Sequence, residues 1–154
     1  VDLTREVYHD LNSVASQKGL VLRYEEPTEG LPDSLADQGK VKQIVTNLVG
    51  NSIKYTKAGE VNIGLSRNGA NLKVMVRDTG IGISEANKRR LFGKFVQASE
   101  SYLARDVTRG TGLGLYISRL LATGMGGKVY LESSELGRGS TFVLEVPAVE
   151  AVQD

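Results

Sequence analysis

An α/β sandwich of the α+β kind is the architecture this sequence predicts: a mixed, mainly antiparallel sheet of about five strands with about three helices on one face. Three observations predict it. Apolar residues recur at helical spacing in three long segments. Five shorter segments alternate or run apolar, as strands do. Two of those strands are joined by Asn68-Gly69, a strong hairpin signal. The chain has 154 residues, enough for one domain with a proper core. That domain is expected over residues 1–148, with 149–154 as a disordered tail.

Composition narrows the function before any motif is read. Formal net charge is +1, from 19 basic and 18 acidic residues, so no broad footprint for nucleic acid or anionic membrane is expected. No cysteine is present, which excludes disulfides, thiolate nucleophiles and Cys-based zinc sites. The single histidine, His9, argues against a His-rich metal site. No apolar run is long enough to cross a bilayer, and no signal-peptide pattern opens the chain. The first residue is Val, so the chain reads as a piece of something longer. The 18 glycines, concentrated in the second half, are more than turns alone need.

In chain order, Leu3, Val7, Leu11, Val14 and Ala15 mark a helix from Asp2 to about Gln17, closed by Gly19. Leu20 to Tyr24 reads as a short strand, and 25–36, with Pro27, Gly30 and Pro32, as a loop. Lys40 to Thr56 is the strongest helix. Val41, Ile44, Val45, Leu48, Val49 and Ser52 form one face, and Gln43, Asn47, Asn51 and Lys54 the opposite one. Asn is a mediocre helix former, so folding does not ask for it there. A solvated polar face is the plain explanation. Two amides and an ammonium in register also suit a metal-bound phosphate.

Glu60 to Arg67 and Leu72 to Val76 are the hairpin strands, and Asp78-Thr79-Gly80-Ile81-Gly82-Ile83 follows them. By itself this hexapeptide reads first as a β-turn. Its Asp can equally accept from an amino group such as that of adenine, and glycines allow close backbone approach. Ser84 looks like the cap of a short helix to about Phe92, and Phe92 and Phe95 flank Gly93 as core anchors. Residues 97–109 carry few large apolar groups, as lids or disordered loops do. Gly110 to Leu115 then enters a helix with Ile117, Leu120 and Leu121 inward. Glycines opening a helix leave free N–H groups that suit phosphate. Neither a Walker loop nor a Rossmann fingerprint fits, because the preceding strand is missing. Gly124 to Gly127 ends the helix. Lys128 to Ser133 and Ser140 to Val146 are the last strands, joined by a turn over Leu136 to Gly139.

Taken in this order, the segments resemble the GHKL (Bergerat-fold) ATPases, and more narrowly the catalytic and ATP-binding domain of sensor histidine kinases. The resemblance covers Val1 to about Pro147. KVKQIVTNLVGNSIKYT, from Lys40 to Thr56, is similar to the family's asparagine box, with Asp37 upstream. DTGIG (Asp78–Gly82) resembles the first glycine box, LFGKF (Leu91–Phe95) with Gln97 the phenylalanine box, and GTGLG (Gly110–Gly114) the second glycine box. MGG (Met125–Gly127) and GRGSTF (Gly137–Phe142) resemble the closing segment.

The resemblance implies ATP and Mg²⁺ as ligands. It makes Asn51 the metal-ligating asparagine, with Asn47 beside the phosphates, Lys54 on a phosphate and Tyr55 near the nucleotide. Asp78 would accept from the adenine amino group, while Gly80 and Gly82 admit the base. Gly110, Thr111, Gly112, Leu113 and Gly114 would form the lid hinge and the phosphate-facing helix start. Arg105 and Arg109 lie in the lid, where such kinases often carry an arginine for the γ-phosphate; the family commonly has glycine at Arg109. Ile83, Phe95 and Thr141 complete the implied nucleotide contacts. The lid, 97 to 110, is expected to be mobile without nucleotide.

The implied reaction is γ-phosphoryl transfer to an imidazole nitrogen, with no general base needed from this chain. The acceptor histidine sits on another domain, and a response regulator is the further partner. The domain itself would be cytoplasmic, in a parent protein that is free to be membrane-anchored. His9-Asp10-Leu11-Asn12 superficially resembles the acceptor motif. A two-helix hairpin needs more chain than lies between His9 and Lys40, so His9 reads as an ordinary helix residue. The alternative function is a nucleotide-binding regulatory or docking module of the same fold without kinase activity. Other kinases of the fold share the boxes; the Lys54-Tyr55-Thr56 ending and the phenylalanine box favour the histidine kinase.

Overall fold

A computed structural model of the chain describes residues 2–27, 31, 36–88 and 114–148. In order they form α1 (Asp2–Gln17), β1 (Val21–Tyr24), α2 (Gln38–Lys54), β2 (Glu60–Asn68), β3 (Asn71–Asp78), a short α3 (Glu85–Lys88), α4 (Gly114–Gly124), β4 (Lys128–Glu135) and β5 (Gly139–Pro147). The five strands make one sheet in the order β1-β2-β3-β5-β4. Only β1 and β2 pair in parallel; the other three ladders are antiparallel. The mixed sheet with α1, α2 and α4 packed over it is the architecture expected.

Strand alternation decides which side chains meet the helices. Val61 and Ile63 of β2, Val74 and Val76 of β3, and Phe142, Leu144 and Val146 of β5 join one core with Val41, Ile44, Val45, Leu48 and Val49 of α2. Val76 pairs with both Ile63 and Phe142, so this apolar row crosses the sheet. The other face is polar and self-neutralised. Lys73 pairs with Glu132 at 2.8 Å. Glu145, only 2% exposed, accepts from Asn68, Asn71 and the Tyr130 hydroxyl.

Element ends are set by local chemistry. Asp37 caps α2, its carboxylate accepting from Lys40 N at 3.1 Å. This cap starts the helix at Gln38, two residues before the periodicity suggested. Gly19, at φ +81°, ends α1, and Leu20 N returns to Ala15 O. In the hairpin, Asn68 pairs with Asn71, so the two-residue loop is Gly69-Ala70. The turn is thus one residue later than Asn68-Gly69, with Gly69 at φ +61° taking the position that needs it.

Two side chains expected inside are outside. Val14 is 46% and Leu120 54% exposed. In α4 the fully buried positions are the small Ser118 and Ala122, with Leu115 and Leu121 packed against the core beside them. Small residues let α4 approach closely, and Leu120 then turns outward. Ile117 is half-buried. The expected phenylalanine box, lid and tail lie outside the described residues.

The core predicts a contrast between two leucines. Leu48→Ala removes a side chain that is fully buried and is expected to cost about 2–5 kcal/mol. Leu120→Ala removes an exposed one and is expected to stay within about 0.5 kcal/mol. Urea unfolding of both variants measures the difference; equal losses would contradict the packing described.

Candidate functional site

Asp78 is the last residue of β3 and faces the helices, only 6% exposed. Its Oδ1 accepts from Gly80 N at 2.9 Å and Ser140 N at 3.2 Å. One oxygen therefore ties the end of β3 to the start of β5. Burial pushes the Asp78 carboxyl above the usual carboxylate range. The Gly80 amide, the nearby Ser52 hydroxyl and the Ser140 amide oppose that rise without cancelling it.

The backbone after Asp78 is wedged against its neighbours. A Cβ at Gly80 would lie 2.5 Å from Tyr55 O, 2.8 Å from Thr56 Oγ1 and 3.0 Å from Asp78 Oδ1. The end of α2, the Thr56 hydroxyl and the Asp78 carboxylate therefore surround one glycine. Ile81 N also donates to Tyr55 O at 3.3 Å. Gly82, at φ +74°, leaves no room for a Cβ against Glu135 O. Gly137 N donates to Ile81 O at 2.9 Å and Ile83 N to Ser134 Oγ at 2.8 Å. These contacts fasten the segment to the β4–β5 turn.

Two buried hydroxyls lie beside this carboxylate, with Ser52 Oγ close enough to steady its charge but short of a well-formed bond. Ser52 Oγ and Thr56 Oγ1 are buried without a hydrogen bond among the described residues. Buried polar groups are almost always satisfied, so the pair asks for a water or a ligand. Both were missed as site residues in the sequence. Ser52 had been assigned to the apolar face of α2, and burial bears that out. A serine in an aliphatic stripe was the available signal.

Along α2 the polar row that the spacing puts on one face divides. Gln43 is exposed, whereas Asn47, Asn51 and Lys54 are half-buried. Asn47 Nδ2 donates to Ser118 Oγ at 3.2 Å and, more weakly, to Gly114 O at 3.5 Å. That contact turns this row of α2 toward the start of α4. Tyr55 is half-buried next to it, and burial pushes its phenol above the usual range. Among the described residues no group of three acidic, His or Cys side chains could hold a metal. Any cation here would depend on neutral oxygens such as the Asn51 amide and on its own ligands.

The structure thus forms two groups along α2: Asp78, Gly80 and Ile81 meet its end at Tyr55 and Thr56, while Asn47, two turns earlier, meets the start of α4 at Gly114 and Ser118, with Asn51 and Lys54 on the row between them. Thr141 does not join them. Its register partner is Arg77, on the far face of the sheet, where it lines a cavity of about 420 Å³ with Glu25, Asn62 and Met75. Strand alternation puts its neighbour Ser140 at Asp78 instead. Phe95, Arg105, Arg109, Gly110, Thr111, Gly112 and Leu113 lie outside the described residues.

Comparison with known proteins agrees with this fold. Residues 36–150 match the family described as histidine kinase-, DNA gyrase B-, and HSP90-like ATPase. The aerobic respiration control sensor protein ArcB of Escherichia coli is 37% identical over 142 residues, covering 91% of this chain and 18% of ArcB. The chain thus spans less than a fifth of that relative's length. Full-length ShkA, solved in complex with AMPPNP, superposes with a TM-score of 0.83 at 36% identity, covering 97% of this chain and 30% of ShkA. A nucleotide-free catalytic domain of the histidine kinase ThkA gives a TM-score of 0.79 at 31% identity, covering 96% of this chain and 91% of that domain. The chain belongs to the histidine kinase-, DNA gyrase B- and HSP90-like ATPase family, among the catalytic domains of sensor histidine kinases.

Proposed function

We propose that this domain binds Mg-ATP and passes the γ-phosphoryl group to a histidine on a separate phosphoacceptor domain, as part of a two-component relay. The observation that carries the reading is the buried carboxylate of Asp78, held through one oxygen by two backbone amides and set beside the Ser52 and Thr56 hydroxyls, near the end of a helix bearing Asn47, Asn51 and Lys54. Asp78 Oδ1 is taken by two backbone amides, and its second oxygen is left to accept from an adenine amino group. Ser52 and Thr56 would complete the base end directly or through water.

At the other end, Lys54 would contact a phosphate, Asn47 would lie beside the phosphates, and the Asn51 amide oxygen would supply one neutral ligand to Mg²⁺. The metal, when bound, neutralises phosphate charge. The transition state of phosphoryl transfer is loose, so this chain's contribution is position and charge rather than covalent chemistry. Gly114, at the start of α4, is the described part of the phosphate-facing turn. The domain is proposed to work in the cytoplasm, with a response regulator downstream. No helix among the described residues is long and apolar enough to cross a membrane.

Asp78→Asn separates binding from folding. The Asn oxygen keeps both backbone bonds, while its amide NH₂ replaces Oδ2 and sets donor against donor at the base. ATP affinity is expected to fall about tenfold or more. Stability should respond with a definite sign. The native carboxyl is raised, so its favourable contribution is complete below the ordinary aspartate range and is lost as pH rises toward the native value. Relative to wild type, the Asn variant should therefore gain stability as pH rises above about 4, the ordinary aspartate value. Unfolding curves showing the opposite trend, or equal ATP and GTP binding by the unmutated domain, contradict the assignment.

Phosphoryl transfer is tested in trans. With γ-labelled Mg-ATP, label should reach the phosphoacceptor domain of the parent protein, and Asn51→Ala should reduce it to background. With ATP alone the chain should stay unlabelled. Label on His9 would refute the separate acceptor. ATP binding without transfer would favour a regulatory module.

A further inference from the structure

Lys18 lies in the turn after α1, outside residues 36–150 that match the family. Its ammonium nonetheless donates to Ile53 O at 2.7 Å and to Lys54 O at 2.8 Å, more than thirty residues along the chain. These are carbonyls of the last turn of α2, which has no further turn to satisfy them. Asn51 O accepts from Tyr55 N at 3.0 Å, and Tyr55 O from Ile81 N at 3.3 Å. A cation so placed suits the negative end of the helix as well as its orphan carbonyls. Lys18 is held by geometry against an opposing pull, since partial burial and then the nearby Lys57 lower its pKa.

The capped turn carries Lys54 and leads directly into Tyr55 and Thr56, which abut Gly80. Without the ammonium, the carbonyl of Lys54 loses its donor and that of Ile53 keeps only the long 3.5 Å bond from Thr56 N, and the turn can fray or rewind. Either change redirects the Lys54 side chain. We propose that Lys18 is a positioning residue for the phosphate end of the site: it fixes where α2 ends and thereby aims Lys54. The inference rests on the proposed role of Lys54 at a phosphate. Lys18 itself touches no ligand.

A double-mutant cycle with the non-hydrolysable analogue AMPPNP and Mg²⁺ tests it by calorimetric titration. Lys18→Met in the otherwise unmutated chain is expected to weaken AMPPNP about three- to tenfold. In a Lys54→Ala background the same change should move affinity less than about twofold. Lys18→Arg, which keeps charge and donors, should restore most of the loss. Circular dichroism and urea midpoints establish that the variants fold; if Lys18→Met does not, Lys18→Gln takes its place in the cycle. Equal losses in both backgrounds would mean that Lys18 merely stabilises the fold, and would overturn the proposal. If Lys54→Ala weakens AMPPNP but Lys18 changes do not, Lys18 alone is misassigned. If Lys54→Ala has no effect, the phosphate role of Lys54 fails and this inference falls with it.

Discussion

The two-amide grip on Asp78 is the constraint from which the rest of this domain follows. A buried carboxylate is costly unless it is hydrogen-bonded, and here one oxygen accepts from Gly80 on one side and Ser140 on the other. To bring those amides to the same atom, β3, β5 and the segment after Asp78 must pack backbone against backbone. A side chain would prevent that in three places. Gly80 meets the end of α2, Gly82 meets Glu135 of β4, and Gly139, at φ +106°, meets the carbonyl of Asp78 itself. The glycines therefore serve the fold here, whatever else they serve. They let a carboxylate sit at the edge of the core with one oxygen held by two backbone amides and the Ser52 hydroxyl close beside it.

Helix α2 carries the second constraint, because it belongs to core and site at once. Val41, Ile44, Val45, Leu48, Val49 and Ile53 are buried against the sheet, which fixes the rotation of the helix. Rotation then fixes the row three and four residues apart on another side. Asn47, Asn51 and Lys54 cannot turn away without exposing the aliphatic stripe. The capping carboxylate of Asp37 fixes the beginning of this helix, and the Lys18 ammonium meets its end. Of these two contacts, the one from Lys18 comes from another element and ties the end of the helix to the turn after α1.

Periodicity was enough to reveal this helix, the hairpin and the two closing strands, because their apolar faces repeat with the geometry of the backbone. It was enough, too, to put Asn47, Asn51 and Lys54 on one row. It failed where tertiary contact outweighs pattern. Leu120 has the spacing of an inward residue, but the close approach of Ser118 and Ala122 leaves it outside. Thr141 stands one residue from the site, and in a strand one residue is the opposite face. The sequence pattern of Gly137 to Phe142 could not tell Ser140 from Thr141; the register against Arg77 does. Ser52 has the spacing of the apolar face and is buried there, but no pattern marks its hydroxyl or that of Thr56 as lying beside a buried carboxylate. Lys18 carries no local signal at all, since its partners are distant in the chain.

Those unpartnered hydroxyls bear on how such a site behaves as a whole. A buried polar group left unmatched costs about 1–3 kcal/mol, and the raised carboxyl of Asp78 adds a further penalty on the folded state. Each is a deficit in the free domain that a nucleotide base, or the water it carries, can relieve. Under the proposed function, ligand affinity and domain stability then draw on the same atoms. A ligand that binds only the folded chain stabilises it in proportion to the logarithm of its concentration over Kd. A mutation that satisfies Ser52, Thr56 or Asp78 internally strengthens the empty domain and weakens the occupied one. Under the proposed function, stability and affinity are opposed at this corner of the sheet, because the Asp78 carboxyl and its neighbouring hydroxyls would serve both.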